Sequence, residues 1–432
     1  MTFLGAGSTV FAKNVLGDCM LTPSLQSFEF ALFDIDQERL QDSLNMLNNL
    51  KEGLNSTVHI KAYTNRKEAL RGTKYVINAI QVGGYDPCTI TDFDIPKKYG
   101  LRQTIADTLG IGGIFRNLRT IPVMLDFARD IEEVCPKAWF LNYTNPMAAL
   151  TGTMIRYGGV KTVALCHSVQ VCAPGLLERV GLDKDKGDIK WKIAGINHMA
   201  WLLEITRDGE DVYPEIKRRA RDLQSEKHDD MVRFELMDRF GYYVTESSEH
   251  NAEYFPYFIK KNYPDLIDQF NIPLDEYPRR CIEQIENWKK MRSDLVLSEN
   301  LTHERTHEYA SFILEAMETD QPFKIGGNVL NTGGLISNLP DKACVEVPCL
   351  VDRNGIQPTY VGELPEQLAA LNRTNINTQL LTIEAAISQK KEYIYQAALL
   401  DPHTSAELSI DEIVALCDDL INAHGDWLPT YK

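Results

Sequence analysis

The sequence predicts an α/β protein, with a Rossmann-like parallel sheet in its N-terminal part, residues 1–190, and a mixed α+β part over residues 191–432. Strand-like apolar runs alternate with helical stretches through the first part, an order that is typical of parallel sheets. Beyond residue 190 this alternation is lost and long helical stretches dominate. Because 432 residues exceed one ordinary hydrophobic core, we expect two closely packed domains, the second for substrate binding and oligomerisation.

The first strand runs into a glycine turn that is typical of a dinucleotide-binding unit. A strand over residues 2–7 is followed by a helix over 8–19 and by a second strand over 27–33 that ends in two aspartates. Glycines allow the backbone to approach a pyrophosphate at a helix N-terminus, and an acid after the second strand accepts the ribose hydroxyls.

Val10 stands where the third glycine of the motif would be, so the prediction depends on the order of strand, turn, helix, strand and acid. A glycine turn in some other α/β fold is the alternative. Asp34 favours NAD over NADP, because its carboxylate would repel a 2′-phosphate. The candidate nucleotide-binding residues are Gly5, Gly7, Ser8, Thr9, Asp34, Asp36 and Asn78.

The remaining elements are predicted from runs of apolar and helix-forming residues. Further strands are expected over 59–63, 75–80, 138–142, 162–165, 190–196, 200–206 and 343–351, the last two antiparallel. Helices are expected over 37–54, 114–134, 214–240, 274–299, 304–318 and 365–396. A long irregular stretch over 83–115 carries Asp107, and such loops after parallel strands usually bind ligands.

Cys166 and His198 each follow an apolar strand-like run, at the point where a strand meets a loop. Taken singly, the cysteine is most often a small buried hydrophobic residue and the histidine a hydrogen-bonded structural one. Together they could bind a metal, and two ligands would leave positions open for substrate, as in a catalytic site. These two ligands do not distinguish among Mn, Fe, Co, Ni and Zn.

Other polar residues are candidates for binding and proton transfer. They are Asp107, Asn142, Asn145, His167 and the segment 245–254, which contains Glu246, His250 and Tyr254. A solvated loop is the alternative interpretation of that segment, since acid and base groups act only within hydrogen-bond reach of a substrate.

Composition excludes several other classes of function. The hydrophobic fraction of 44% and the charged fraction of 25% are typical of a globular protein. A net charge of -16 argues against nucleic acid and anionic membranes as partners. The sequence has no apolar run of membrane-spanning length and no leader pattern, and its nine cysteines lack a disulfide-rich spacing. We therefore expect a cytoplasmic protein with reduced thiols.

The sequence resembles the NAD- and metal-dependent glycosidases of glycoside hydrolase family 4 over nearly its whole length. The motifs that carry this resemblance span residues 3–9, 83–89, 104–110, 141–146, 166–169, 195–199, 245–254 and 425–429. Unlike most glycosidases, this family does not depend on a pair of carboxylates. The resemblance also implies a domain layout like that of lactate and malate dehydrogenases.

The family's chemistry implies a redox-assisted elimination. NAD+ takes a hydride from sugar C3, a base removes the acidified C2 proton, and the C1 substituent leaves. Water then adds to the unsaturated sugar and the hydride returns. A divalent metal, typically Mn2+, stabilises the enolate through O2 and O3.

The resemblance assigns roles to individual residues. Cys166 and His198 would bind the metal, and Asn142 or Asn145 would hold the sugar, with His250 beside it. Many members have an aspartate as the leaving-group acid directly after the cysteine.

Here that position is His167, as in the galactosidase-like branch. Tyr254 would be the C2 base, with His250 and Glu246 as alternatives, and Asp107 would lie near the metal. An arginine that contacts substrate in some relatives is replaced by Cys88-Thr89, which favours a neutral sugar.

The implied activity is that of an α-galactosidase acting on melibiose- or raffinose-type sugars, in a homo-oligomer, either a dimer or a tetramer. An α-glucuronidase or α-galacturonidase of the same family remains an alternative. Two rivals from other classes are an NAD-dependent dehydrogenase of the lactate/malate type and a non-catalytic NAD-binding regulator. The dehydrogenase leaves Cys166 and the tyrosine-rich segment without an evident role.

Overall fold

The computed structural model describes residues 1–298 and 301–432, and one mixed sheet runs through these ranges with helices packed around it. The strands are β1 (Thr2–Leu4), β2 (Glu29–Phe33), β3 (His59–Tyr63), β4 (Tyr75–Asn78), β5 (Trp139–Asn142), β6 (Lys161–Ala164), β7 (Ile189–Ile196), β8 (Met199–Arg207), β9 (Glu210–Asp211), β10 (Tyr243–Val244), β11 (Phe323–Leu330), β12 (Cys344–Asp352) and β13 (Gly355–Pro358).

The helices follow the same numbering in chain order. They are α1 (Thr9–Met20), α2 (Gln37–Gly53), α3 (Arg66–Leu70), α4 (Ile90–Lys98), α5 (Gly110–Val134), α6 (Met147–Arg156), α7 (His167–Arg179), α8 (Tyr213–Leu223), α9 (Met231–Phe240), α10 (Ser248–Tyr254), α11 (Asp265–Gln269), α12 (Glu276–Leu297), α13 (Ala310–Thr319), α14 (Glu366–Ser388), α15 (Lys391–Leu400), α16 (Pro402–Glu407) and α17 (Ile410–His424). Among them, none combines the length and the apolar character needed to cross a bilayer.

The N-terminal half of the sheet is parallel, in the order β3-β2-β1-β4-β5-β6. All six strands lie within three residues of their predicted limits. The predicted α/β class is therefore confirmed. Because neighbouring parallel strands end at one edge, the segments that follow β1, β4, β5 and β6 are brought side by side.

The other half of the sheet is antiparallel, in the order β10-β8-β7-β12-β11. The predicted antiparallel strands β8 and β12 are confirmed, since each pairs antiparallel with β7, whereas β11 was not predicted. Strand β11 joins β6 through one residue pair, Asn328 with Ala164. Strand β12 joins β7 through one pair as well, Glu346 with Gly195. The strands thus part immediately beyond these pairs.

Several helix predictions were wrong in extent. The stretch 83–115 is not irregular throughout, because a π-helical turn (Gly84–Thr89) and α4 occupy its first half. The predicted helix over 214–240 is two helices, α8 and α9. The one over 365–396 breaks at Gln389, whose backbone is left-handed (φ +55°).

Two other helix limits also differ from the prediction. Helix α13 begins at Ala310 and not at 304, because residues 303–306 bond to a side chain of α1. Helix α12 ends at Leu297, and the predicted last residue, Glu299, lies outside the described residues.

The glycine turn after β1 is packed too tightly for side chains. Gly5 has φ +86°, and a Cβ there would lie 2.5 Å from the carbonyl oxygen of Ala79. At Gly7 a Cβ would lie 2.7 Å from Asp34 Oδ2, the atom that accepts a 2.6 Å hydrogen bond from the Gly7 amide. Both glycines are therefore required for β1, β2 and β4 to meet at this point.

A buried ionic cluster ties the C-terminal helix, α17, to helices α4 and α5. Arg119 on α5 donates two hydrogen bonds to Asp92 on α4, at 3.1 and 2.7 Å, and a third to the carbonyl of Val82. His424 at the end of α17 lies 2.9 Å from the same carboxylate. The side chains of Arg119 and His424 have no exposed surface. The Asp92 carboxylate is therefore the main partner that offsets the cost of removing them from water.

We predict that Asp92→Ala lowers the free energy of unfolding by about 3–5 kcal/mol, because a buried guanidinium would lose its charge partner. Urea denaturation followed by circular dichroism measures this change. Asp126→Ala is the matched control, since Asp126 pairs with Arg129 on the exposed face of α5 and should change stability little. Equal midpoints for the two variants would contradict the assignment.

Candidate active site

Three potential metal ligands converge where the strands part. The thiol of Cys166, the imidazole of His198 and the carboxylate of Glu246 have ligand atoms that all lie within 4.8 Å of one another. Glu246 Oε2 lies 3.4 Å from His198 Nε2 and 3.9 Å from Cys166 Sγ. The two predicted metal ligands are thus brought together. The third donor is a residue that the sequence suggested only as an alternative base.

Each of these side chains is presented by a break in regular structure. Cys166 lies between β6 and α7, as the N-cap residue of that helix. His198 lies in the two-residue turn between β7 and β8 with φ +62°, and Glu246 lies between β10 and α10 with φ +68°. Left-handed backbone is uncommon for residues other than glycine, and such conformations concentrate at functional sites.

The charges of this cluster are strongly coupled. Burial would raise the pKa of Glu246, but His198, His250 and Arg233 together outweigh it and lower that pKa to about 2. Burial raises the pKa of the Cys166 thiol well above its ordinary value, and the Glu246 carboxylate raises it further. Burial lowers the pKa of His198. A bound divalent cation would lower the pKa of the Cys166 thiol, because the cation binds the thiolate. It would also favour the neutral imidazole of His198.

Below the cluster, a polar pair fills the gap between the parting strands. Glu346 on β12 is 1% exposed and accepts a 2.7 Å hydrogen bond from Asn328 on β11. Burial raises the pKa of Glu346 to about 8. Burial therefore favours the neutral form of this carboxyl group.

Tyr254 and His250, on α10, lie beside the candidate metal ligands. The hydroxyl of Tyr254 is 3.2 Å from His198 Nδ1, the ring nitrogen that does not face Glu246. Groups bonded to the second nitrogen of a metal-binding imidazole orient the ring. The His250 ring centre lies 5.2 Å from that of His198, and its Nδ1 is 2.6 Å from Ser247 Oγ. The segment 245–254 is thus not a solvated loop.

Asp107 lies in a buried loop that Glu253 holds in place. The amides of Thr104 and Ala106 each donate to the Glu253 carboxylate at 2.8 Å, and Ala106 has φ +54°. Asp107 accepts a 2.7 Å hydrogen bond from Thr108, and its charge raises the pKa of Tyr254, though less than burial does. The sequence named Glu253 only as part of the segment 245–254 and did not predict its role, because its partners are backbone amides about 150 positions away.

His167 begins α7 directly after Cys166, and its side chain is 46% exposed. Its Nε2 lies 2.5 Å from Glu308 Oε1. The hydrogen bond to Glu308 raises the pKa of His167, and burial opposes this effect. Glu308 was also missed, since it lies 141 positions away in a stretch predicted to be helical.

The asparagines after β4 and β5 mainly shape the turn that follows β5. Asn142 is fully buried and accepts from Asn78 Nδ2 at 2.9 Å and from the Thr144 amide at 3.1 Å. Its side-chain amide donates to the Thr144 carbonyl. Asn145 is partly exposed, and its Oδ1 has no partner among the described residues. Of the predicted sugar-binding asparagines, Asn145 is therefore the one with a free acceptor.

Of the predicted nucleotide-binding residues, Gly5, Gly7, Ser8 and Thr9 lie at the N-terminus of α1, whereas Asn78 is buried at the end of β4. Ser8 donates to the Gly5 carbonyl at 2.8 Å and Thr9 to the Gly7 carbonyl at 3.2 Å. No side chain caps α1, so its first amides stay available to an anion.

The two aspartates after β2 make different contacts. Asp34 bonds to the glycine turn through the Gly7 amide. Asp36 caps α2 by accepting from the amides of Glu38 and Arg39. Asp34 is thus the acid nearer to the turn where a ribose would lie.

Comparison with known proteins adds the family. Residues 1–182 match the family described as Family 4 glycosyl hydrolase, and residues 193–404 match the Family 4 glycosyl hydrolase C-terminal domain. The chain is 69% identical to an alpha-galactosidase of Bacillus subtilis (strain 168) over 432 residues, covering 100% of this chain and 99% of that protein.

Two solved structures share the fold. A 6-phospho-alpha-glucosidase from gut microorganisms, in complex with NAD and Mn2+, has a TM-score of 0.82 at 20% identity, covering 100% of this chain and 99% of that one. A malate dehydrogenase from Plasmodium falciparum, in complex with NADH, has a TM-score of 0.50 at 12% identity, covering 90% and 98%. The predicted dehydrogenase-like layout is confirmed. Taken with the matches to both family domains, these findings show that the chain belongs to glycosyl hydrolase family 4.

Proposed function

We propose that this protein is an α-galactosidase that hydrolyses melibiose- and raffinose-type sugars with the help of NAD+ and a divalent metal, Mn2+. One observation carries the proposal. The glycine turn after β1 and the Cys166, His198 and Glu246 donors meet at the same edge of one sheet. The name of the Bacillus subtilis relative, alpha-galactosidase, supports the choice of sugar.

The residues at this edge fit both cofactors. The glycine turn leaves no room for a Cβ and ends at uncapped helix amides, as a pyrophosphate requires. A thiolate, an imidazole and a carboxylate form a mixed donor set that leaves positions open for sugar oxygens. When bound, NAD+ would exchange a hydride with the sugar, and the metal would polarise the oxidised carbon's oxygen.

The chain's own side chains would handle the protons and hold the sugar. Tyr254 would remove the proton at sugar C2, and the distance of 3.2 Å from its hydroxyl to Nδ1 of His198 supports this role. Burial raises its pKa well above the ordinary value, so it needs the nearby cation to ionise.

His167 would protonate the leaving oxygen, and its side chain is more exposed than those of Cys166, His198 and Glu246. Asn145 and His250 would bind sugar hydroxyls, with Asn142 shaping the turn. Asp107 would be a further catalytic group beside Tyr254.

The alternatives predict different behaviour. A dehydrogenase would accumulate NADH and has no use for the Cys166 and Glu246 donors. A uronide-cleaving enzyme needs a cation for the sugar carboxylate. The position after the Gly83-Gly84 turn, where some relatives have an arginine, is occupied here by the buried Cys88 and Thr89. This favours a neutral sugar.

We further propose that residues 1–190 form the NAD-binding domain and residues 191–432 the substrate-binding and oligomerisation domain. A cytoplasmic location follows from the need to keep a metal-binding thiol reduced. A homo-oligomer, dimer or tetramer, is supported by α12, which exposes Ile282, Ile285 and Met291. Light scattering will measure the mass of the assembly.

We predict that cleavage of 4-nitrophenyl α-galactoside requires NAD+, Mn2+ and a thiol together, without net formation of NADH. The hydride returns within each turnover, so chromatography of the quenched reaction should show no accumulated NADH while nitrophenol is released. Peroxide should abolish activity and thiol should restore it, because the Cys166 thiolate is oxidisable. NADH produced in step with sugar consumed would instead indicate a dehydrogenase.

We predict that His198→Ala and Glu246→Gln weaken Mn2+ binding at least about tenfold, which is the loss caused even by removing groups that only orient metal ligands. Calorimetric titration of Mn2+ in the presence of thiol measures this directly, and a parallel titration with NAD+ should show little change. His59→Ala, an exposed histidine on β3, is the control. A variant that loses NAD+ affinity as well would show that the residue is structural.

A further inference from the structure

Glu308 is a buried carboxylate with one partner in the candidate site. Its Oε1 lies 2.5 Å from Nε2 of His167, and its side chain is 7% exposed. The other oxygen, Oε2, is also buried and makes no hydrogen bond with the described residues. Burying a carboxylate costs free energy unless it is paired or hydrogen-bonded, and the partner of Glu308 is the imidazole ring of His167.

The segment that carries Glu308 is fastened to the helix of the nucleotide turn. Asp18 on α1 accepts from the Thr306 amide at 3.0 Å and from the Thr306 hydroxyl at 2.6 Å. His303 Nε2 lies 2.7 Å from the same carboxylate. The Thr306 hydroxyl oxygen in turn accepts from the Glu308 amide at 3.1 Å. The position of Glu308 is therefore set by bonds that do not involve its own side chain.

The next residue fastens the metal-binding cysteine. The hydroxyl of Tyr309 donates to the carbonyl of Cys166 at 3.1 Å and is 3.3 Å from that of Gly326. Glu308 thus contacts His167, and the next residue, Tyr309, contacts Cys166, which directly precedes His167 in the chain. This segment therefore holds both the backbone of Cys166 and the imidazole ring of His167.

We propose that Glu308 is the positioning residue for His167, setting both the orientation and the tautomer of its ring so that Nδ1 faces the leaving oxygen of the substrate. This inference rests on the proposed glycosidase function, in which His167 is the proton donor. A carboxylate only accepts hydrogen bonds, so Nε2 must carry a hydrogen. Nδ1 then remains as the nitrogen that, in the imidazolium form, gives its proton to the departing oxygen and, in the neutral form, takes one from water.

Geometry explains why such a partner is needed. The His167 side chain is 46% exposed, and its ring is tilted by 39° against that of Tyr143, with ring centres 6.4 Å apart. Packing alone would leave the imidazole free to rotate. Carboxylates elsewhere hold catalytic imidazoles in one tautomer, and replacing such an aspartate by asparagine leaves the geometry intact while activity collapses.

The test compares two substrates that differ in how much the leaving oxygen needs a proton. Nitrophenolate leaves readily without a proton, whereas the sugar hydroxyl of melibiose does not. For Glu308→Gln, with NAD+, Mn2+ and thiol present, we expect kcat on 4-nitrophenyl α-galactoside to fall less than about threefold. On melibiose kcat should fall about a hundredfold or more, since general acid catalysis contributes about 10²–10⁴.

Matched variants separate positioning from stability. Glu304→Gln changes an exposed glutamate of the same segment and should leave both substrates unaffected. His167→Ala should show the same selective loss as Glu308→Gln, and the double variant should lose nothing more. If Glu308→Gln does not fold, Glu308→Asp keeps the charge but draws the oxygen back, and it should still lose melibiose activity selectively.

Each outcome decides the question. Equal losses on both substrates, or additive losses in the double variant, would overturn the positioning role while the proposed function stands. If the unaltered enzyme cleaves neither galactoside, the proposed function fails and the role of Glu308 fails with it. Selective loss on melibiose, shared with His167→Ala and absent from Glu304→Gln, establishes the role.

Discussion

The candidate site depends on the place where the sheet changes from parallel to antiparallel. Strands β6 and β11 share one residue pair there, and so do β7 and β12. Beyond these pairs the strands no longer hydrogen-bond, so the chain leaves the sheet at Cys166 on one side and at Asn197-His198 on the other. The gap between them is filled by Asn328 and Glu346, the two residues that make the last pairs. A continuous ladder at this position would leave no room for a metal ion.

Charge sets a second constraint on the same gap. A thiol, two imidazoles and the carboxylate of Glu246 lie close together at low exposure, and a chain without a cation keeps them compatible only by leaving the thiol protonated. Burial raises the pKa of Glu346 to about 8, which favours the neutral form of its carboxyl group. A divalent cation would satisfy the carboxylate and displace the thiol proton. Metal binding should therefore be coupled to pH and to the folding of this region.

Buried carboxylates also hold the loops that carry the other candidate residues. Glu253 accepts backbone amides from the loop before Asp107, and Asp18 accepts the amide and hydroxyl of Thr306. In both cases a side chain from a helix replaces the hydrogen bonds that a strand or helix would have supplied. Such loops can then adopt left-handed or irregular backbone conformations while their backbone amides stay hydrogen-bonded. Some of the chain's acidic residues thus hold loops in the interior, in addition to those that are exposed on the surface.

The amino-acid sequence by itself determined the α/β class, the strands of the parallel sheet and the glycine turn after β1, and it indicated Cys166 and His198 as residues that follow strands. These features have local causes. Periodic apolar runs form strands, and Gly5 and Gly7 stand where no side chain fits. The family motifs along the chain identified the chemistry as well, and the matches to both family domains confirm that family.

Only the tertiary structure decided which residues surround these features. Glu246 joins the metal donors because of a left-handed turn after β10, and Glu308 reaches His167 from 141 positions away. Strand β11 and the breaks in the long helices likewise depend on contacts between distant segments. A glutamate has the same sequence signature on a solvated surface and in a buried site. Its role is set by desolvation and by partners that folding alone brings within reach.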